Sequence, residues 1–163
     1  MNEQEMIRKS LFEAIEQKDV IQVKEILNNP QTNPNIQTDW GDTALITASY
    51  EGELQIVQVI LEHPQTNPNI KNCYGFSALH YASREGHSQV VQAILDHPNI
   101  DPNLQNKWGS TALMRASELG HSQVVEELLS HPSTDTTLTN KEGQTAWDLA
   151  KPEIREQFPE LKV

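Results

Sequence analysis

The stretch GFSALHYASREGHSQVVQAILDHP (75–98) decides how this chain is read, because it occurs three times. Its counterparts are GDTALITASYEGELQIVQVILEHP (41–64) and GSTALMRASELGHSQVVEELLSHP (109–132), one equal step to either side. A fixed step within the range of ~20–50 residues marks a stacked repeat and takes precedence over segment-by-segment assignment. The connecting segments repeat too: NPQTNPNI (29–36), HPQTNPNI (63–70), HPNIDPNL (97–104) and HPSTDTTL (131–138) keep Pro30, Pro64, Pro98 and Pro132 in register. The glycines fall into two registers: Gly41, Gly75, Gly109 and Gly143, then Gly52, Gly86 and Gly120.

Each copy reads as two short helices. The first opens at Thr43, Ser77, Thr111 or Thr145, residue types that suit a helix N-terminus. Small residues four apart follow (Ala44/Ala48, Ala78/Ala82, Ala112/Ala116, Ala146/Ala150) and give that helix a slim face for a close neighbour. The second glycine suits a left-handed C-terminal stop. The second helix carries apolar residues at helical spacing, such as Val57, Ile60 and Leu61 or Val91, Ile94 and Leu95. It ends where proline cannot continue a helix, and Asn, Asp, Pro and Gly then favour turns.

One such unit cannot bury its apolar stripe alone, so the units must stack. The expected architecture is all-α, a single repeat domain over 1–163 with full repeats at 38–71, 72–105 and 106–139. Residues 1–37 form an N-terminal cap: Val20, Val23, Ile26 and Leu27 stay in register, while Glu3, Glu5, Arg8, Lys9, Glu13 and Glu16 make its first helix soluble. Residues 140–163 form a C-terminal cap, in which GQTAWDLA (143–150) is followed by Pro152 and a short turn carrying Ile154 and Phe158.

Twelve basic and 23 acidic residues give a net charge of −11. Such a chain repels phosphate backbones, so no nucleic-acid partner is expected. The acidic opening MNEQEMIRKS is unlike a secretory signal. No apolar run approaches the ~20 residues that span a bilayer, so no membrane partner is expected either. The lone cysteine, Cys73, excludes an intrachain disulfide. A reducing cytoplasmic setting, or delivery into a host cytosol, fits that usage. The chain is expected to be a monomer.

His63, His97 and His131 recur one per unit. Stacked helices would hold them ~8–10 Å apart, too far for ligand nitrogens that must each lie within ~2.1 Å of one zinc ion. They read instead as residues at helix C-termini, where a donor or cationic side chain favours the dipole. His87 and His121 follow a repeat glycine. No G-x-S-x-G, P-loop or paired-cysteine motif is present. No catalytic residue, metal or cofactor is therefore expected. Cys73 beside Lys71 reads as an incidental thiol rather than a reactive one.

The recurring G-x-T-A-L opening, the second glycine, the V-V-x-x-[IL]-L helix and the period together resemble the ankyrin repeat family, closely over 38–150 and loosely at the caps. The family's usual pattern is T-P-L-H-x-A at a period of roughly 33 residues. This chain replaces the proline by Ala44, Ala78, Ala112 and Ala146, keeps the histidine only as His80, and is one residue longer in the Pro/Asn-rich linking loop. The resemblance implies helix-turn-helix units joined by β-hairpin-like loops, a concave face, and a role in binding other proteins. Asn35, Asn69 and Asn103 sit at the family's hairpin asparagine, hydroxylated in some relatives; bonding to backbone groups in the turn is the simpler reading.

Trp40, Tyr74 and Trp108 share the position before the first glycine, which in this family projects from the hairpin toward the concave side. Tyr50 and Phe76 fall at other variable surface positions. Exposed aromatics are enriched at binding hot spots; the competing reading is that each ring packs along its neighbour's hairpin. Arg84, Lys107 and Arg115 would hold acidic groups of a partner, unless they are ordinary solvated charges. The expected function is a non-catalytic protein-binding module, a scaffold or adaptor. The alternatives are an inhibitor or regulatory subunit of one enzyme, or an enzyme with an unrecognised site.

Overall fold

In a computed structural model, residues 2–162 are described. Its helices are α1 (Glu3–Glu16), α2 (Val20–Leu27), α3 (Ala44–Glu51), α4 (Leu54–Glu62), α5 (Ala78–Glu85), α6 (Ser88–Leu95), α7 (Ala112–Leu119), α8 (Ser122–Ser130), α9 (Ala146–Leu149) and α10 (Pro152–Gln157), followed by a 3-10 turn at Pro159–Leu161. The first helix of each pair packs on the next first helix, α3 on α5, α5 on α7 and α7 on α9. The second helices α2, α4, α6 and α8 pack in a parallel series. Between pairs, hairpin-like loops carry one isolated bridge among the described residues, Gln37 to Thr43.

Local chemistry sets each helix. The hydroxyls of Thr43, Thr111 and Thr145 accept from the backbone N–H groups of Ile46, Met114 and Asp148. That satisfies one of the donors every helix N-terminus leaves over. The stop lies at Gly52, Gly86 and Gly120, all left-handed. Lys18 occupies the register of Gly52 one repeat earlier. It adopts a φ of +57°, the one non-glycine positive φ among the described residues. The N-terminal pair therefore keeps the repeat's backbone without its residue.

The paired alanines are buried and let the first helices close on one another. The second-helix stripe, including Val23, Ile56, Val57, Ile60, Val91, Ile94, Val125 and Leu128, is also buried. At roughly 1.5–3 kcal/mol per large aliphatic side chain buried, this stripe outweighs the surface ion pairs, which contribute ~0–1 kcal/mol each. Near the C-terminal end, Ile154 is buried and Phe158 half-buried against the core. Leu161, unremarked by periodicity, is fully buried beside them.

Polar side chains stitch each unit to the next. Asn35, Asn69 and Asn103 donate through Nδ2 to the carbonyls of Gln65, Asn99 and Ser133. Their Oδ1 atoms accept from the N–H groups of Asn67, Asp101 and Asp135. These asparagines thus bond backbone of the following unit rather than of their own turn. The hairpin backbones join as well: the carbonyls of Trp40, Tyr74 and Trp108 accept from Cys73, Lys107 and Lys141.

The histidines have structural positions. His63, His97 and His131 accept through Nδ1 from N–H groups two residues on, at 3.2–3.3 Å. Their rings act as acceptors bracing the Pro-rich turn, not as donors to the helix end. His87 and His121 bond through Nε2 to the carbonyls of Tyr50 and Arg84 in the preceding unit. No cluster of three or more metal-ligating side chains occurs among the described residues. His80 is buried between Ser77, whose hydroxyl and N–H meet Nδ1, and the Ser110 carbonyl, 3.0 Å from Nε2.

Candidate protein-binding face

The hairpins carry Trp40 (66% exposed), Tyr74 (45%) and Trp108 (54%), and α3 carries Tyr50 (46%) near its end. Trp40, Tyr74 and Trp108 share a register but do not stack on one another. The rings that meet are others. Tyr50 lies edge-on to Tyr81 at 5.7 Å, Tyr81 meets Phe76 at 5.1 Å, and Phe76 meets Trp108 at 5.8 Å. Phe76 also contacts the His80 ring at 5.7 Å and is half-buried. An aromatic floor therefore runs from the end of α3 to the third hairpin, with Trp40 and Tyr74 standing outside it.

Tyr81 is absent from the sequence-derived candidates. It shares its register with Thr47 and Arg115, one to either side. Its hydroxyl accepts from Asn72 Nδ2 at 3.1 Å. Partial burial, first among several causes, holds the phenol above its ordinary pKa.

The cations are distributed unevenly. Arg84 pairs with adjacent Glu85 at 3.3 Å, and Arg115 Nη1 with Glu118 at 2.6 Å. Lys107 is exposed and makes no ion pair among the described residues. Toward the N-terminus, Arg8 and Asp39 form a 3.1 Å pair beside a cavity of about 360 Å³ that also includes Phe12. A second cavity, about 320 Å³, is lined by Phe76, Asn106, Trp108, Ser110 and Arg115. Cys73 is a free, exposed thiol. No helix among the described residues is long and apolar enough to cross a membrane.

Known proteins agree with this geometry. A family model described as ankyrin repeats (3 copies) matches residues 11–106, and one described as ankyrin repeats (many copies) matches residues 94–150. The fold is similar to the crystal structure of EF0377, an ankyrin repeat protein, with a TM-score of 0.78 and 30% identity, over 84% of this chain and 68% of that one. No curated protein matches. Ankyrin repeats are generally protein–protein interaction modules and typically non-catalytic. The repeat register, the paired helical layers and these matches place the chain in the ankyrin repeat family.

Proposed function

We propose that this chain is a non-catalytic module, 1–37 and 140–163 capping three full units, that binds a protein partner through its concave face of hairpins and first helices. The observation that carries this reading is the aromatic floor from Tyr50 through Tyr81 and Phe76 to Trp108, flanked by exposed Trp40 and Tyr74. Large amphipathic rings supply much contact area at little entropic cost, and a cluster of them exceeds the scattered apolar residues of an ordinary surface. Arg84, Lys107 and Arg115 border the floor and would set the register of a partner with acidic groups.

The test uses the partner captured from the native source and the double variant Trp40→Ala, Trp108→Ala. Affinity should fall at least about tenfold, as for two hot-spot residues, with the thermal midpoint shifted by only a few degrees. Retained affinity with a much lower midpoint would make the rings structural.

A further inference from the structure

We infer that the cavity between the second and third hairpins, lined by Phe76, Asn106, Trp108, Ser110 and Arg115, receives a glutamate or aspartate side chain of the partner segment lying on the aromatic floor. This rests on the concave-face reading above and adds the chemistry recognised at one point of it.

The third hairpin departs from the repeat. In the second hairpin, Asn72 Nδ2 donates to Asp42 at 2.8 Å and to the Tyr81 hydroxyl at 3.1 Å. In the last, Asn140 Nδ2 donates to Gln144 at 3.1 Å. The third hairpin holds Asn106 in the register of Asn72, but the positions of its two acceptors change. Asp42 is replaced one unit on by Phe76, and Tyr81 by Arg115. Neither successor can accept a hydrogen bond. Asn106 uses Oδ1 to accept from Trp108 and Ser110, much as Asn72 and Asn140 do in their own hairpins. Its Nδ2 makes no hydrogen bond among the described residues, and neither does the Ser110 hydroxyl. Arg115 Nε is buried without a partner.

The lining thus offers an amide, a hydroxyl and a guanidinium as donors, with no carboxylate of its own. Glu118 holds Nη1 and so fixes the plane of the guanidinium. The opposite edge, Nε and Nη2, is an edge that takes a carboxylate through two parallel bonds. Phe76 and Trp108 wall the site and lower the local dielectric, which strengthens such bonds. Lys107, exposed on the same hairpin, adds positive potential in a chain whose net charge of −11 otherwise repels acidic ligands. The aromatic floor continues from the cavity toward Tyr50, so a peptide passes along the face; that favours an internal side chain over a chain terminus.

The probe is acetyl-Gly-Glu-Gly-amide, titrated into the full chain while the Arg115 Nε–H and Trp108 indole N–H resonances are followed by NMR. Saturable shifts of both are expected, with at least about tenfold weaker binding for the Gln analogue, since bonds to a charged acceptor are worth about twice neutral ones. Arg115→Gln, and Arg115→Lys, which keeps charge but loses the planar edge, should each abolish the response. Equal shifts with the Gln peptide, or a response surviving in a folded Arg115→Gln chain, would overturn the assignment. So would tighter binding of acetyl-triglycine with a free C-terminus, or of inorganic phosphate. The wild-type resonances decide the matter even if a variant fails to fold. Native-partner binding lost in Trp40→Ala but kept in Arg115→Gln would sink this inference alone. Native-partner binding indifferent to Trp40→Ala and Arg115→Gln alike would sink the concave-face reading and this inference with it.

Discussion

His80 gives the fold an acid-sensitive joint whose size can be worked out. Burial, ahead of the charges of Lys71 and Arg115, lowers its pKa from 6.5 to about 4, against the opposing bond to the Ser110 carbonyl. The contact of the buried ring with Ser77 acts in the same sense as burial. Nδ1 already accepts from Ser77, so a second proton would have to displace that contact inside the core. Between the two values the unfolded chain takes up a proton that the folded chain refuses. Stability is therefore fully present above pH 6.5, is lost as pH falls toward about 4, and changes no further through this group below that. The gap spans about 2.5 pH units, which at 1.36 kcal/mol each is about 3 kcal/mol. The comparison variant is His80→Met, because Met114 occupies the same register in the next unit and its sulfur likewise accepts from the N–H of Thr111. Urea unfolding of both proteins from pH 4 to 8 should give a stability difference that is flat above pH 7. Below pH 6.5 it should fall by up to about 1.4 kcal/mol per pH unit. Titration of the carboxylates cancels in the difference. Parallel curves across the whole range would refute the reasoning.

Three further outcomes follow from the repeat's joints. Gly75→Ala should cost about 2 kcal/mol or more by urea midpoint: φ is +81° and the added Cβ would lie 2.8 Å from the Lys107 backbone nitrogen, on top of the ~1–2 kcal/mol left-handed penalty. Asn69→Ala should cost roughly 1–3 kcal/mol in the same assay, because it strips partners from the Asn99 carbonyl and the Asp101 N–H at once. Lys18→Gly should raise the thermal midpoint, since glycine holds the φ of +57° without strain; a lowered midpoint would show that the Lys18–Glu53 pair matters more.

The sequence carried the register, and with it the helix starts at Thr43, Ser77, Thr111 and Thr145 and the stops at the second glycines. Those features depend on neighbours within one turn of chain, so a local pattern reports them. What lay beyond its reach depends on how closely units stack. Asn35, Asn69 and Asn103 look like turn residues until the next unit's backbone arrives beside them. The rings of Trp40, Tyr74 and Trp108 align in register, yet a shared register does not bring side chains into contact. Tyr81 does make contact, because it sits on the helix beside the hairpin that carries Phe76. A register comparison of Thr47, Tyr81 and Arg115 is the available signal: the position is polar, aromatic and cationic in turn, as a surface position free to vary would be.

The asparagine and carbonyl stitches have a mechanical meaning. Every one of them spans neighbouring units only, so a load applied along the axis passes through the joints in series. Pulled from its ends, the protein would act as a short chain of links, since none of these stitches among the described residues reaches past the neighbouring unit. Each link that parts frees one repeat, about 120 Å of contour at full extension, while its neighbours stay seated. A partner gripping the aromatic floor would lie across several joints at once and clamp them, turning a compliant spring into a stiff rod along that stretch.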